Sequence, residues 1–133
     1  MIGDAKAILE TLDGELSNFK VSKDYSGKVE DFNKSWDQFV ADIYAEKNEV
    51  PAFQGEVIGA VNSFSNPEDI VICAAGSLPG DLHKLWRTRN PKGFHLEYGY
   101  SCMGYEIAGG LGAKMARPES EIYVMVGDGS YLM

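Results

Sequence analysis

Cysteine is scarce in this sequence: Cys73 and Cys102 are the only two, with no Cys-x-x-Cys pair and no Cys-rich framework. A disulfide scaffold is thereby excluded, and a reducing cytoplasm is the expected compartment. Histidine is equally sparse, and the spacings of His83 and His95 relative to those cysteines match no usual zinc pattern. Basic charge is also in short supply, since 12 Lys and Arg face 20 Asp and Glu for a net charge of −8. That sign is wrong for neutralising phosphates along a nucleic acid, so no nucleic-acid partner is expected. No apolar run approaches the roughly 18 to 20 residues that span a bilayer, and no basic segment with an apolar core follows Met1. Neither a membrane anchor nor an export signal is expected. What the sequence does have is 44% hydrophobic residues and 24% charged ones over 133 positions, enough apolar surface for one domain-sized core.

Three helices are expected first. Asp4 is placed to cap a helix whose Ile8, Leu12, Leu16 and Phe19 share one face. Val21 to Glu30 is polar, contains Gly27, and reads as a loop. Phe32, Trp36, Phe39, Val40 and Ile43 then form a second stripe, read as core packing, and Val57, Ile58, Val61 and Phe64 a third that Ser65-Asn66-Pro67 ends. From Asp69 the character changes. Ile70 to Ala75 (IVICAA) is a continuous apolar run closing on the turn Gly76-Ser77-Leu78-Pro79-Gly80, as expected of a strand buried on both faces. A short helix over Leu82 to Arg87, a strand over Phe94 to Tyr98, a Gly- and Ala-rich helix over Cys102 to Ala116 and a strand over Ile122 to Val126 (IYVMV) follow. The fold class expected is α/β: part of a doubly wound parallel sheet preceded by a helical linker. Met133 comes soon after Val126, where a crossover helix is due, so the sequence is read as cut short.

Ligands of open α/β sheets bind beyond the carboxyl ends of the strands, which singles out Gly76-Ser77 and Gly127-Asp128-Gly129-Ser130. Glycines let backbone amides approach phosphate oxygens, and one carboxylate can hold a hard cation that bridges them. By itself the second motif reads either as such a corner or as a plain Asp-Gly turn. Ser77 reads equally as a helix cap, and Met103 as core filler.

Upstream of that corner lies Glu97-Tyr98-Gly99-Tyr100-Ser101-Cys102-Met103-Gly104, which opens a small-residue helix running to Ala116. A Met-Gly element leading through such a helix and a strand into Gly-Asp-Gly-Ser resembles the diphosphate-binding domain of thiamine diphosphate enzymes of the acetolactate synthase class. Within it, VICAAGSLPGDLHKLW (71–86) and FHLEYGYSCMGYEIAGGLGAKMA (94–116) resemble the trihydroxycyclohexanedione hydrolase branch, which serves myo-inositol catabolism. Ile2-Gly3-Asp4-Ala5 with its amphipathic helix resembles the end of the family's middle domain, so residues 1–48 are assigned to that remnant and linker and 49–133 to a truncated diphosphate-binding domain.

The resemblance implies thiamine diphosphate and magnesium as cofactors. Asp128 would bind the metal; Gly76, Ser77, Gly127, Gly129 and Ser130 would hold the diphosphate; Met103 would prop the cofactor between its two rings. Ser101 would offer its backbone carbonyl to the aminopyrimidine. The family's downstream asparagine, the second magnesium ligand, and its pyrimidine domain with the activating glutamate have no counterpart here, so no catalytic residue is assigned and the isolated chain is expected to be inactive. The parent would be a hydrolase acting on a small cyclic dione and a homo-oligomer assembled through these domains. The alternatives are an acetolactate-synthase-like carboligase or decarboxylase, and a stand-alone non-catalytic cofactor-binding module. Glu97 and Tyr98 lie either near the substrate end of the cofactor or on an ordinary strand-end surface; Ala108, Gly109, Gly110 and Gly112 let their helix pack closely on the sheet.

Overall fold

The computed structural model describes residues 3–47 and 50–133. Two units can be distinguished, 1–38 and 39–133. The first holds helix α1 (Ala5–Glu15) and most of α2 (Lys23–Ala45). Asp4 caps α1 as expected, its carboxylate accepting from Ala7 N at 2.9 Å. The expected loop over Val21 to Glu30 is instead helical from Lys23. Ser22 Oγ accepts from Tyr25 N at 3.2 Å, and Lys28 pairs with Asp24 one turn away at 2.8 Å, so a cap and an ion pair outweigh the cost of Gly27. The core packing expected of the second stripe holds only at its end, where Val40 is in the core and Ile43 packs against it, while Phe32, Trp36 and Phe39 are exposed. No residue of α1 is buried, and Phe32 is 75% exposed; only Val40, in the second unit, is buried on α2.

In the second unit, α3 (Gln54–Phe64) leads into a three-stranded parallel sheet ordered β2-β1-β3. Strand β1 (Ile70–Cys73) is buried throughout because it lies between β2 (Phe94–Leu96) and β3 (Ile122–Val124). Its register sets Val71 beside Phe94 on one flank and beside Tyr123 on the other. Asp69 ties the strand starts together: its carboxylate accepts from Asn66 N at 2.7 Å and from Glu121 N at 3.1 Å. Val40, Ile58, Val71, Cys73, Leu82 and Leu85 form the core, each large side chain contributing about 1.5–3 kcal/mol by burial.

Helix α4 (Ser77–Leu85) begins earlier than expected, because Ser77-Leu78-Pro79-Gly80 forms its first turn rather than a free turn. Pro79 is tolerated there since the first-turn N–H groups have no intrahelical acceptor to lose. Helix α5 (Tyr105–Ala116) starts at Tyr105, behind Gly104 at its cap position, rather than at Cys102, and a short α6 (Asp128–Tyr131) follows β3. The chain therefore runs from β1 outward to β2, then back across β1 to β3. Right-handed crossovers with that reversal put α4 and α5 on opposite faces, the doubly wound arrangement, with α5 packed on β1 and β3 and α3 on α4. The α/β expectation is borne out. The boundary set at residue 48 lies outside the described residues, as do Met1 and Ile2.

The two thiols differ sharply. Cys73 is fully buried, and burial pushes its thiol up to about 11 against the opposing Ala74 amide and with a lesser contribution from the nearby Glu106 charge, whereas Cys102 is exposed. A thiol reagent at pH 8 is expected to label one cysteine per native chain and two in denaturant, checked by absorbance. Rapid labelling of both in the native protein would contradict the core assignment.

Candidate functional site

The direction of the chain reverses between β1 and β3, so a crevice opens at their carboxyl ends. It measures about 410 Å³ and is lined by Gly76 and Ser77 from the start of α4, by Met103, and by Gly127, Asp128, Gly129 and Ser130 around the start of α6. Of the residues assigned to cofactor or metal in the sequence, Ser101 alone does not line it; Glu97 and Tyr98 do not line it either. A larger opening of about 630 Å³ runs along the free flank of β3, but apart from Gln54 and Tyr123 its side chains are apolar.

Gly76 stands at φ 97°, a left-handed conformation that a side chain disfavours, and no side chain caps α4. Ser77 is the first helical residue rather than the cap, which removes the capping alternative. Ser77 and Leu78 line the crevice, and as residues of the first turn of α4 their amides have no intrahelical acceptor and lie at the positive end of the helix dipole. Opposite, the Asp128 carboxylate is exposed, and a Cβ at Gly127 or Gly76 would meet open space. Met103, 47% exposed, reaches to 3.5 Å from where a Cβ on Gly129 would stand.

Sequence reasoning missed Glu106. Its side chain is completely buried in the first turn of α5, where Oε1 accepts from Ala75 N at 3.0 Å. Oε2 accepts from Gly104 N at 3.1 Å and from the Ser130 hydroxyl at 2.8 Å, and Ser130 Oγ in turn accepts from Gly104 N at 2.9 Å. One carboxylate therefore joins the end of β1, the turn before α5 and the corner before α6. Ser130 is buried and its proton is engaged by Glu106, which makes it a shaping residue whose hydroxyl does not point freely at a ligand. An acidic residue in a first helical turn ordinarily complements the dipole, so nothing in its position marked it. Its one signal is that it is the only charge before Lys114 in an otherwise apolar helix.

Burial works to raise the Glu106 carboxyl, but the amides of Ala75, Gly104 and its own residue, with the Ser130 hydroxyl, outweigh this and hold it below its ordinary 4.5. A group depressed in the folded state contributes stability that is complete above its unfolded value and is lost as pH falls through the folded one. Urea unfolding is therefore expected to show Glu106→Gln clearly less stable than the parent at pH 7, with the gap narrowing towards pH 3. A gap independent of pH would contradict an ionised Glu106.

The loop before α5 is held similarly. Glu97 Oε1 accepts from Tyr100 N and Oε2 from Cys102 N, each at 3.0 Å, and these amides lower its carboxyl. Between them Ser101 sits at φ 52°, with Oγ 3.4 Å from Ala74 O. Glu97 is thus a brace of the loop. Tyr98 borders a separate apolar hollow with His83 and Leu96. His95 Nε2 lies 2.6 Å from the Tyr105 hydroxyl with stacked rings, and His83 meets Phe94 edge-on. Gly110 lies against β3, where an added Cβ would come within 2.4 Å of Val124 Cγ2.

Among the described residues no cluster of three or more His, Cys, Asp or Glu side chains could hold a metal. Asp128 offers one carboxylate. Magnesium commonly binds one or two carboxylates and takes its remaining oxygens from water and phosphates, so the donor set fits a cation held jointly with a diphosphate but not one held by the chain alone.

Comparison with known proteins accords with this geometry. Residues 74–133 match the thiamine pyrophosphate (thiamine diphosphate) enzyme family, specifically its C-terminal TPP binding domain. The chain is 46% identical over 134 aligned residues, 99% of its length, to the 3D-(3,5/4)-trihydroxycyclohexane-1,2-dione hydrolase of Bacillus anthracis strain CDC 684, covering 20% of that protein. It is 45% identical to the protein of that name from Bacillus cereus strain AH820, again covering 20% of it. The Bacillus licheniformis protein of that name is 38% identical over 158 residues, all of this chain and 24% of the relative. The chain thus spans between a fifth and a quarter of these relatives, and the resemblance to thiamine diphosphate enzymes read from the sequence is borne out.

Proposed function

We propose that this chain supplies the first half of the diphosphate-binding domain of a thiamine diphosphate- and magnesium-dependent hydrolase that opens a trihydroxycyclohexane-1,2-dione ring. The observation that carries the proposal is the single crevice, at the point where the sheet reverses, that gathers Gly76, Ser77, Met103 and the 127–130 corner. Similarity along the whole chain to proteins named as dione hydrolases supports the substrate class.

In this role Asp128 would hold the magnesium, sharing it with the diphosphate. The α4 amides at Ser77 and Leu78 would donate to phosphate oxygens, and Gly76, Gly127 and Gly129 would leave room for them to approach. Met103 would present an apolar face to the cofactor's body, while Glu106 and Ser130 keep the corner in shape. Ser101 would offer its backbone carbonyl to the aminopyrimidine. When bound, thiamine diphosphate would supply a carbon nucleophile for attack on a ketone carbonyl, chemistry that no side chain provides. This chain's residues would bind, orient and exclude water; the proton-moving group would lie outside it. Residues 1–48 would serve as the end of a middle domain and linker to 49–133, and the working form would be a cytoplasmic homo-oligomer assembled through these domains.

The test incubates the full-length enzyme carrying this chain with thiamine diphosphate, magnesium and either the cyclic dione or pyruvate. Ring opening of the dione to an open-chain acid, with no condensation of pyruvate, is expected. Pyruvate condensation without ring opening would replace the hydrolase by a carboligase.

A further inference from the structure

Between β2 and α5 the backbone takes two uncommon conformations close together, Ser101 at φ 52° and Gly104 at φ 89°, and Met103 stands between them facing the crevice. Left-handed residues persist where their surroundings over-determine them. Here each is flanked by amides that end on a carboxylate: the N–H groups of Tyr100 and Cys102, on either side of Ser101, on Glu97, and the N–H of Gly104 on Glu106. The two carboxylates approach from different sides. Glu97 follows β2 and is accessible, whereas Glu106 is wholly buried and anchors the turn to Ala75 and Ser130.

We propose that Glu97 and Glu106 are paired positioning residues, a two-carboxylate clamp that holds the Ser101–Gly104 turn in its left-handed form and so fixes Met103 against the cofactor crevice. The proposal rests on the reading of that crevice as the thiamine diphosphate site for its binding consequence, though not for the clamp itself. A carboxylate suits the task because both its oxygens accept. In glutamine one oxygen becomes an NH₂ donor, which faces a backbone N–H head-on and leaves it unpaired. At Glu97 water can partly make up the loss; at the buried Glu106 the Ser130 hydroxyl can still accept from Gly104 N but Ala75 N has no such second acceptor.

Two measurements on the full-length enzyme carrying this chain test it. In amide hydrogen exchange, Glu97→Gln is expected to speed Tyr100 and Cys102 by a few-fold with Val71 and Ile72 in β1 unchanged, and Glu106→Gln to speed Ala75 and Gly104 by roughly tenfold or more beyond whatever its lower stability adds at Val71 and Ile72. General destabilisation alone would speed the β1 amides as much as the turn amides. By calorimetry with magnesium present, the thiamine diphosphate dissociation constant is expected to rise about tenfold in Glu106→Gln and about threefold in Glu97→Gln. Unchanged exchange at these amides overturns the clamp, and changed exchange with unaltered affinity in both variants overturns its link to the cofactor. If Glu106→Gln does not fold, Glu97→Gln decides on the same criteria. Failure of the unsubstituted enzyme to bind thiamine diphosphate would sink the functional reading, while the exchange measurement would still decide the clamp.

Discussion

Replacing Asp128 by alanine in the full-length enzyme is expected to abolish magnesium-dependent binding of thiamine diphosphate, weakening it by about a hundredfold or more. Among the described residues, Asp128 is the only carboxylate lining the crevice, and it stands exposed at the first residue of α6. The rest of the site offers glycines, the hydroxyls of Ser77 and Ser130, the Gln54 amide, a methionine and helix-end amides, none of which supplies an anionic oxygen for a hard cation. The chain's net charge of −8 sharpens the effect, because a diphosphate approaching without its cation meets an unfavourable field. Asp128→Asn keeps the shape and one neutral oxygen and should fall between the two. Calorimetric titration with magnesium in excess decides the matter, and an unchanged dissociation constant in Asp128→Ala would remove the metal assignment. Ser130→Ala should cost less, since that hydroxyl acts through Glu106 and Gly104.

The parts of the fold that were legible in the sequence are those where one physical signal acts alone. Ile70 to Cys73 had to be a doubly buried strand because its apolar run is continuous, and Asp4 had to cap because its side chain is short and the helix starts beside it. Misreadings came where two signals compete. Ser77-Leu78-Pro79-Gly80 has the composition of a turn, yet a proline in a first helical turn loses no hydrogen bond, so the helix takes it in. Gly27 suggested a loop, yet the Ser22 cap and the Asp24–Lys28 pair carry the helix across it. Periodicity foretold helices for α1 and α2 but could not tell which faces are covered, since a stripe records amphipathicity and not its partner. The crevice was legible as two glycine corners because strand ends in a parallel sheet converge. Glu106 was not, because its worth lies in three acceptor contacts that reach 31 residues back to Ala75 and 24 forward to Ser130.

Gly110→Val is expected to cost about 3 kcal/mol or more of folding stability, whereas Gly112→Ala, two positions along the same helix, should stabilise by about 0.5–1 kcal/mol. The sequence treats these glycines alike, but their surroundings differ. A Cβ at Gly110 would lie 2.4 Å from Val124 Cγ2, and the branched valine cannot swing aside because it belongs to β3 and its own Cβ is only 3.8 Å away. Helix α5 would have to lift off the sheet, and valine at 110 adds bulk in the direction least able to yield. At Gly112 a Cβ meets nothing within 4 Å, so alanine only removes freedom from the unfolded chain and improves helix propensity. The consequence reaches the site, because α5 carries Glu106 and rests on both strands whose ends form the crevice. Gly110→Val should therefore lose cofactor affinity along with stability, and Gly112→Ala should keep both. Denaturant midpoints of the two variants in the full-length enzyme check the contrast; equal effects would mean that α5 does not approach β3 at Gly110.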